Sequence, residues 1–172
     1  WKFCIALRMT RQWTIAAVFL MLGLVPMGEA VELTWVGPSN GDWFVAGHWS
    51  GSGDYPRAGD QVRITNGWVL LTNETADLAS FTITNATLTF TNWMTALRSV
   101  DVEIANNGQF GLPAAFTNNQ MSNRVWVICS NFTMRGGGRI QADAAGYAQA
   151  NGPGRGVNCP ANGGSGGGGN GG

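Results

Sequence analysis

Val62-Arg-Ile-Thr-Asn-Gly-Trp-Val-Leu70 is answered by Phe81-Thr-Ile-Thr-Asn-Ala-Thr-Leu-Thr-Phe90, Val102-Glu-Ile-Ala-Asn-Asn-Gly-Gln-Phe110 and Phe132-Thr-Met-Arg-Gly-Gly-Gly-Arg-Ile140. Each copy alternates apolar and other residues, reaches a pivot, turns at Asn or Gly, and resumes with an apolar stretch. The pivots are Ile64, Ile83, Ile104 and Met134, and the turn positions are Asn66, Asn85, Asn106 and Gly136. Successive pivots lie nineteen, twenty-one and thirty residues apart, so the last interval carries an insertion near Pro113 to Asn123. Periods near twenty fit one coil of a solenoid, in which each strand stacks on the one before.

Strand composition supports this reading. Val, Ile, Phe, Leu and Thr dominate Phe81 to Phe90, and Val100, Val102 and Ile104 alternate with Asp101 and Glu103, predicting apolar side chains inward and polar ones outward. Asn tolerates the left-handed backbone that a sharp corner needs. The expected fold is all-β, a right-handed single-stranded parallel β-helix with an aromatic amino-terminal cap. The alternative is a β-sandwich, which also uses short alternating strands.

Outward from the repeat, Thr34 to Ile64 contains Trp35, Trp43, Phe44, Trp49 and Tyr55 among glycines and prolines. That is too much apolar surface to leave wet and too many breakers for a long helix. Pro56, Gly59 and Asp60 read as a turn leading into Val62 and Ile64. Trp35, Gly37, Trp43, Trp49-Ser50, Pro56, Gly59-Asp60, Val62 and Ile64 resemble the opening of exported bacterial β-helix surface proteins of the autotransporter-passenger or surface-anchored kind. The usual Asn before the third Trp is His48 here. The resemblance implies a secreted or cell-surface protein associated with the outer membrane.

A solenoid end needs covering, so residues 31–60 are expected as the cap and 61–143 as the coils. Trp35, Trp43 and Trp49 would close the first coil. Displayed in a row instead, they would form a glycan-stacking platform.

The amino-terminal residues read as an export signal starting at Met9. Arg11 supplies the positive region, Thr14 to Met27 the apolar core, and Gly28-Glu-Ala30 the cleavage site, giving a signal of 1–30. Its removal takes Lys2, Arg8, Arg11 and Glu29, so ten basic residues become seven and ten acidic ones nine. The remainder has no lysine and no basic stripe, which argues against nucleic acid as a partner. Membrane contact is expected only during export or through a carboxy-terminal anchor. Cys129 and Cys159 could pair in an oxidising compartment, or stay as thiols.

From 144 to 172 glycine dominates and apolar surface is scarce, which predicts a flexible spacer or a lateral loop of a longer solenoid. Ending within a glycine run leads to the expectation that the protein continues. Gly152-Pro-Gly-Arg-Gly156 lacks the Lys-Ser/Thr of a phosphate loop.

Candidate catalytic acids are Asp101 and Glu103, on one face of one strand, with Asp77 or Asp143 from neighbouring coils. No cluster of Lys, Arg or His accompanies them. Asp42, Asp54 and Asp60 could hold calcium, without the regular spacing of a known loop. A metal site from His48 and two distant cysteines is not indicated. These features predict a non-enzymatic passenger or stalk, adhesin-like, whose partners are surface glycans or other cell-surface material. The alternative is a polysaccharide-active lyase or glycosidase whose catalytic part lies elsewhere in the protein.

Overall fold

The computed structural model describes residues 30–51, 53–117, 121–149 and 151–152. The expected signal, most of the glycine-rich segment and Cys159 lie outside these residues. Ten strands are formed: β1 (Glu32–Thr34), β2 (Gly41–Asp42), β3 (Gln61–Ile64), β4 (Trp68–Leu71), β5 (Leu78–Thr84), β6 (Thr87–Phe90), β7 (Leu97–Ala105), β8 (Gln109–Gly111), β9 (Val127–Met134) and β10 (Arg139–Ile140). A short 3-10 turn covers Ala46–His48.

Odd and even strands separate into two five-stranded sheets, ordered β1-β3-β5-β7-β9 and β10-β8-β6-β4-β2. Every pairing between these strands is parallel. Parallel neighbours need a crossover, and here each strand's crossover is a strand of the opposite sheet. The architecture is therefore a parallel β-helix of five two-stranded coils. A sandwich of hairpins would have produced antiparallel ladders.

The repeat pivots stack in register: Ile64 pairs with Ile83, Ile83 with Ile104, and Ile104 with Met134. At the corners Asn85 (φ 46°), Asn106 (φ 46°) and Gly136 (φ 39°) are left-handed. The second coil departs from the expected pattern, since Gly67 (φ 81°), not Asn66, takes that conformation. Stacked corners are joined through the backbone, the Asn85 N–H donating to the Asn106 carbonyl at 2.9 Å. A Cβ at Gly108 would collide with the Ile83 carbonyl, and one at Gly138 with that of Ile104. Both glycines thus serve the same close approach one coil apart.

Inward rows fill the space between the sheets. Leu33, Val62, Phe81 and Val102 form one, and Ile64, Ile83 and Ile104 the next; Val69, Leu88 and Phe110 face them, with Leu71 and Phe90 beyond, all buried. Phe110 lies 5.9 Å from Phe81 and 5.5 Å from Phe90, ring centre to ring centre. Each such side chain stabilises the fold by about 1.5–3 kcal/mol through removal from water. Val100, expected inward, is exposed. At this point β7 turns Ser99 inward and leaves both Val100 and Asp101 outside, breaking strict alternation.

Residues 31–60 do more than the expected covering. Their β1 pairs with β3 and their β2 with β4, so the segment is itself the first coil. Beyond β2, Trp49 and Ser50 fold back onto that coil, Trp49 bridging to Trp35 and the Ser50 N–H donating to the Thr34 carbonyl at 2.9 Å. Crossings between sheets through 65–67, 85–86, 106–108 and 135–138 are tight, whereas the return connections 43–60 and 112–126 are long. The second of these contains the insertion inferred from the thirty-residue interval. At the other end, Phe132 (42 %), Met134 (44 %) and Ile140 (44 %) remain exposed.

Candidate functional site

Trp35, Trp43 and Trp49 are buried, with 2 %, 0 % and 3 % of their surface exposed. The glycan-stacking platform expected of them as one alternative is thereby overturned: no ring face is left for a sugar. Trp49 sits edge-on to Trp43 at 4.7 Å and to Trp35 at 5.1 Å, and its Nε1–H donates to the Trp43 carbonyl at 2.7 Å. His48 belongs to the same cluster. Its Nδ1 lies 2.9 Å from the Asp42 carbonyl and its ring packs on Trp35. A Cβ at Gly37 would come within 2.7 Å of the His48 and Trp35 side chains, which explains that glycine.

Exposed tryptophans lie elsewhere. In β4, Val69 and Leu71 point inward, so alternation turns Trp68 outward, where 48 % of it is exposed. Its Nε1–H donates to Thr89 Oγ1 at 2.9 Å, which orients the ring. Trp68, Thr87, Gln109 and Arg139 follow one another in register across β4, β6, β8 and β10. They form the outer row of a shallow groove of about 350 Å³, bordered also by Ser39, Asn85 and Asn107. Arg139 Nε donates to Gln109 Oε1 at 2.7 Å, and Gln109 Nε2 to Gln141 Oε1 at 2.8 Å, a relay that holds the guanidinium across the outer face. Four other arginines are ion-paired: Arg57 with Asp54, Arg63 with Glu32, Arg98 with Glu74 and Asp77, and Arg135 with Glu103. Among the described residues, Arg139 has no carboxylate partner. Arg124 is also without one, but is held between Trp93 and Trp126, 4.5 and 3.8 Å from their ring centres.

A larger trough of about 460 Å³ runs along the other sheet over Leu78, Ala79, Val100, Ile128 and Cys129. Two of its polar groups are already occupied, Asp77 by Arg98 Nε at 2.6 Å and Ser99 Oγ by the Asp101 carbonyl at 2.8 Å. The smaller groove, with an exposed ring and an oriented cation, is better equipped to recognise a ligand.

The candidate acids are placed as follows. Asp101 and Glu103 share the outer face of β7, but Asp101 accepts from Asn131 Nδ2 at 2.7 Å and Glu103 pairs with Arg135 at 3.4 Å. Asp77 is tied to Arg98, whose guanidinium pKa is raised by its hydrogen bonds to Asp77 and Glu74. Asp143 lies in an exposed turn. Of the residues considered for calcium, Asp42 accepts from the Phe44 N–H and from Thr72 Oγ1. Asp60 is buried and accepts from the Val31 and Arg57 N–H groups. Asp54 accepts from the Tyr55 N–H and from Arg57, and these bonds hold its carboxyl below the usual range. Among the described residues no three His, Cys, Asp or Glu side chains converge as a metal site. Cys129 is half-buried in β9; its pairing with Cys159 falls outside the described residues.

Fold and groove together define a parallel β-helix with a polar, aromatic-edged outer face. A scan of protein-family models found no match, and searches of curated proteins and of solved structures likewise returned none.

Proposed function

We propose that this chain is the non-enzymatic passenger or stalk of a secreted or cell-surface protein, associated with the outer membrane, that presents its coil faces to glycans. The observation that carries the reading is the outer face of the β2-β4-β6-β8-β10 sheet. There an exposed Trp68 is followed, one coil at a time, by Thr87, Gln109 and Arg139. Aromatic surface beside hydroxyl and amide groups is the chemistry that packs on a sugar ring and bonds its hydroxyls.

Against an enzyme of the lyase or glycosidase class, Asp101 and Glu103 are each engaged by a neighbouring coil. A general acid and base need separated pKa values and access to a substrate. Two measurements test the proposal. Antibody labelling and protease shaving of intact cells report display, and loss of both signals would remove the surface assignment. Incubation with insoluble polysaccharides separates binding from cleavage: retention with no soluble product is expected, and release of oligosaccharides would replace the passenger by the enzyme.

A further inference from the structure

We infer that the Trp68–Arg139 groove binds an acidic polysaccharide, with Arg139 receiving the carboxylate of a uronate unit and Trp68 stacking on a sugar ring further along the same chain. The inference rests on the glycan-contacting reading and names its ligand class and site.

Three observations converge on it. Among the described residues lining the groove, Arg139 alone is charged, so the local field favours an anion. Its Nε is taken by Gln109, which Gln141 holds in turn, leaving the terminal nitrogens of a pre-oriented planar fork. Such a fork matches a carboxylate through two parallel hydrogen bonds. The ion-paired arginines on the coils meet their carboxylates across adjacent coils, as Arg63 meets Glu32 and Arg135 meets Glu103. Arg139 faces Gln109 at the corresponding place, so its counter-charge is left to be supplied from outside.

Geometry fixes the ligand's form. Trp68 and Arg139 stand three coil steps apart in one outer row, roughly 14 Å at the usual strand spacing. An extended oligomer lying along the solenoid axis spans that distance, and a single sugar does not. Thr87 and Gln109 lie beneath its middle with a hydroxyl and an amide. Polyanions recognised through many phosphates need several cations, and this groove supplies one.

The test uses polygalacturonate oligomers and the same oligomers with their carboxyls methyl-esterified, titrated calorimetrically against the full chain. Binding of the acid form is expected to be tenfold or more tighter than that of the ester, and to weaken with salt. Arg139→Gln should lose about tenfold for the acid and nothing for the ester, with Arg139→Lys intermediate. Trp68→Ala should weaken both forms, while Trp93→Ala, outside the groove, should leave both unchanged. Equal binding of acid and ester, or indifference to Arg139→Gln, overturns the inference while leaving a glycan-contacting passenger intact. No retention of any polysaccharide removes the glycan reading itself. Arg139 is exposed, so its variants fold and decide the matter even if Trp68→Ala does not.

Discussion

The first and fifth coils carry the same inward pattern and meet opposite fates. Leu33 and Phe132 stand at the two ends of one inner row, yet Leu33 is buried and Phe132 is 42 % exposed. The difference lies outside the strands. At the first coil Trp49 returns to bridge Trp35, and three indoles interlock. At the fifth, no described strand pairs with the outer edge of β9 or β10, so Phe132, Met134 and Ile140 are stacked on one side only. Strand pattern decides which way a side chain faces; only a neighbouring layer decides whether it is buried.

Sealing the first coil has its own cost. Trp35 Nε1 and Trp43 Nε1 are buried without a hydrogen-bond partner among the described residues, at roughly 1–3 kcal/mol each. The apolar area of the rings must outweigh it.

The contrast can be broken most severely at Trp43. Trp43→Ala should cost about 3–5 kcal/mol in urea unfolding, because it opens the covered end onto Phe81, 6.1 Å away. Trp43→Phe should cost distinctly less, since it loses the same orphaned N–H but keeps an aromatic ring in the cluster; equal losses would show that ring area is not what seals this end. Next in size, Ile104→Ala should cost about 2–5 kcal/mol while Met134→Ala, its partner in the exposed coil, costs under about 1 kcal/mol. Equal effects would mean that the fifth coil is covered in solution.

Corner substitutions sharpen the comparison further. Proline cannot take a positive φ, so Asn85→Pro and Asn106→Pro should each lose roughly 1–3 kcal/mol. Asn85 should lose slightly more, because its N–H is bonded to Asn106. Gly136→Pro, at the equivalent corner of the fifth coil, should lose less than either, and thermal unfolding of the three proteins ranks them. Smallest is the acid response of the 43–60 connection. Since hydrogen bonds depress the Asp54 pKa, its contribution is complete above the ordinary carboxylate range and is lost as pH falls through the depressed folded value. Asp54→Asn should therefore flatten slightly the acid limb of a stability curve taken down to about pH 2.

Much of the solenoid was legible because its signal is local and repeated. The pivots at Ile64, Ile83, Ile104 and Met134 align by spacing alone and pair as that alignment requires. The first coil was not legible, because Glu32–Thr34 and Gly41–Asp42 are too short for alternation to register. Trp68 was readable, since Val69 and Leu71 on either side of Leu70 already set its direction. The denser cluster at Trp35, Trp43 and Trp49, expected as the cap, also held the glycan-stacking alternative, and burial removed that alternative.

By itself, then, the sequence determined the coil period, the inward rows and the polar corners, because a side chain's facing follows from alternation along a few bonded residues. Tertiary structure alone decided which rows are covered and which charges are spent. Arg63 meets Glu32 across 31 residues, whereas Arg139 meets a glutamine. Ion pairs between stacked coils depend on the register of distant strands, and that register exists only once the coils have stacked.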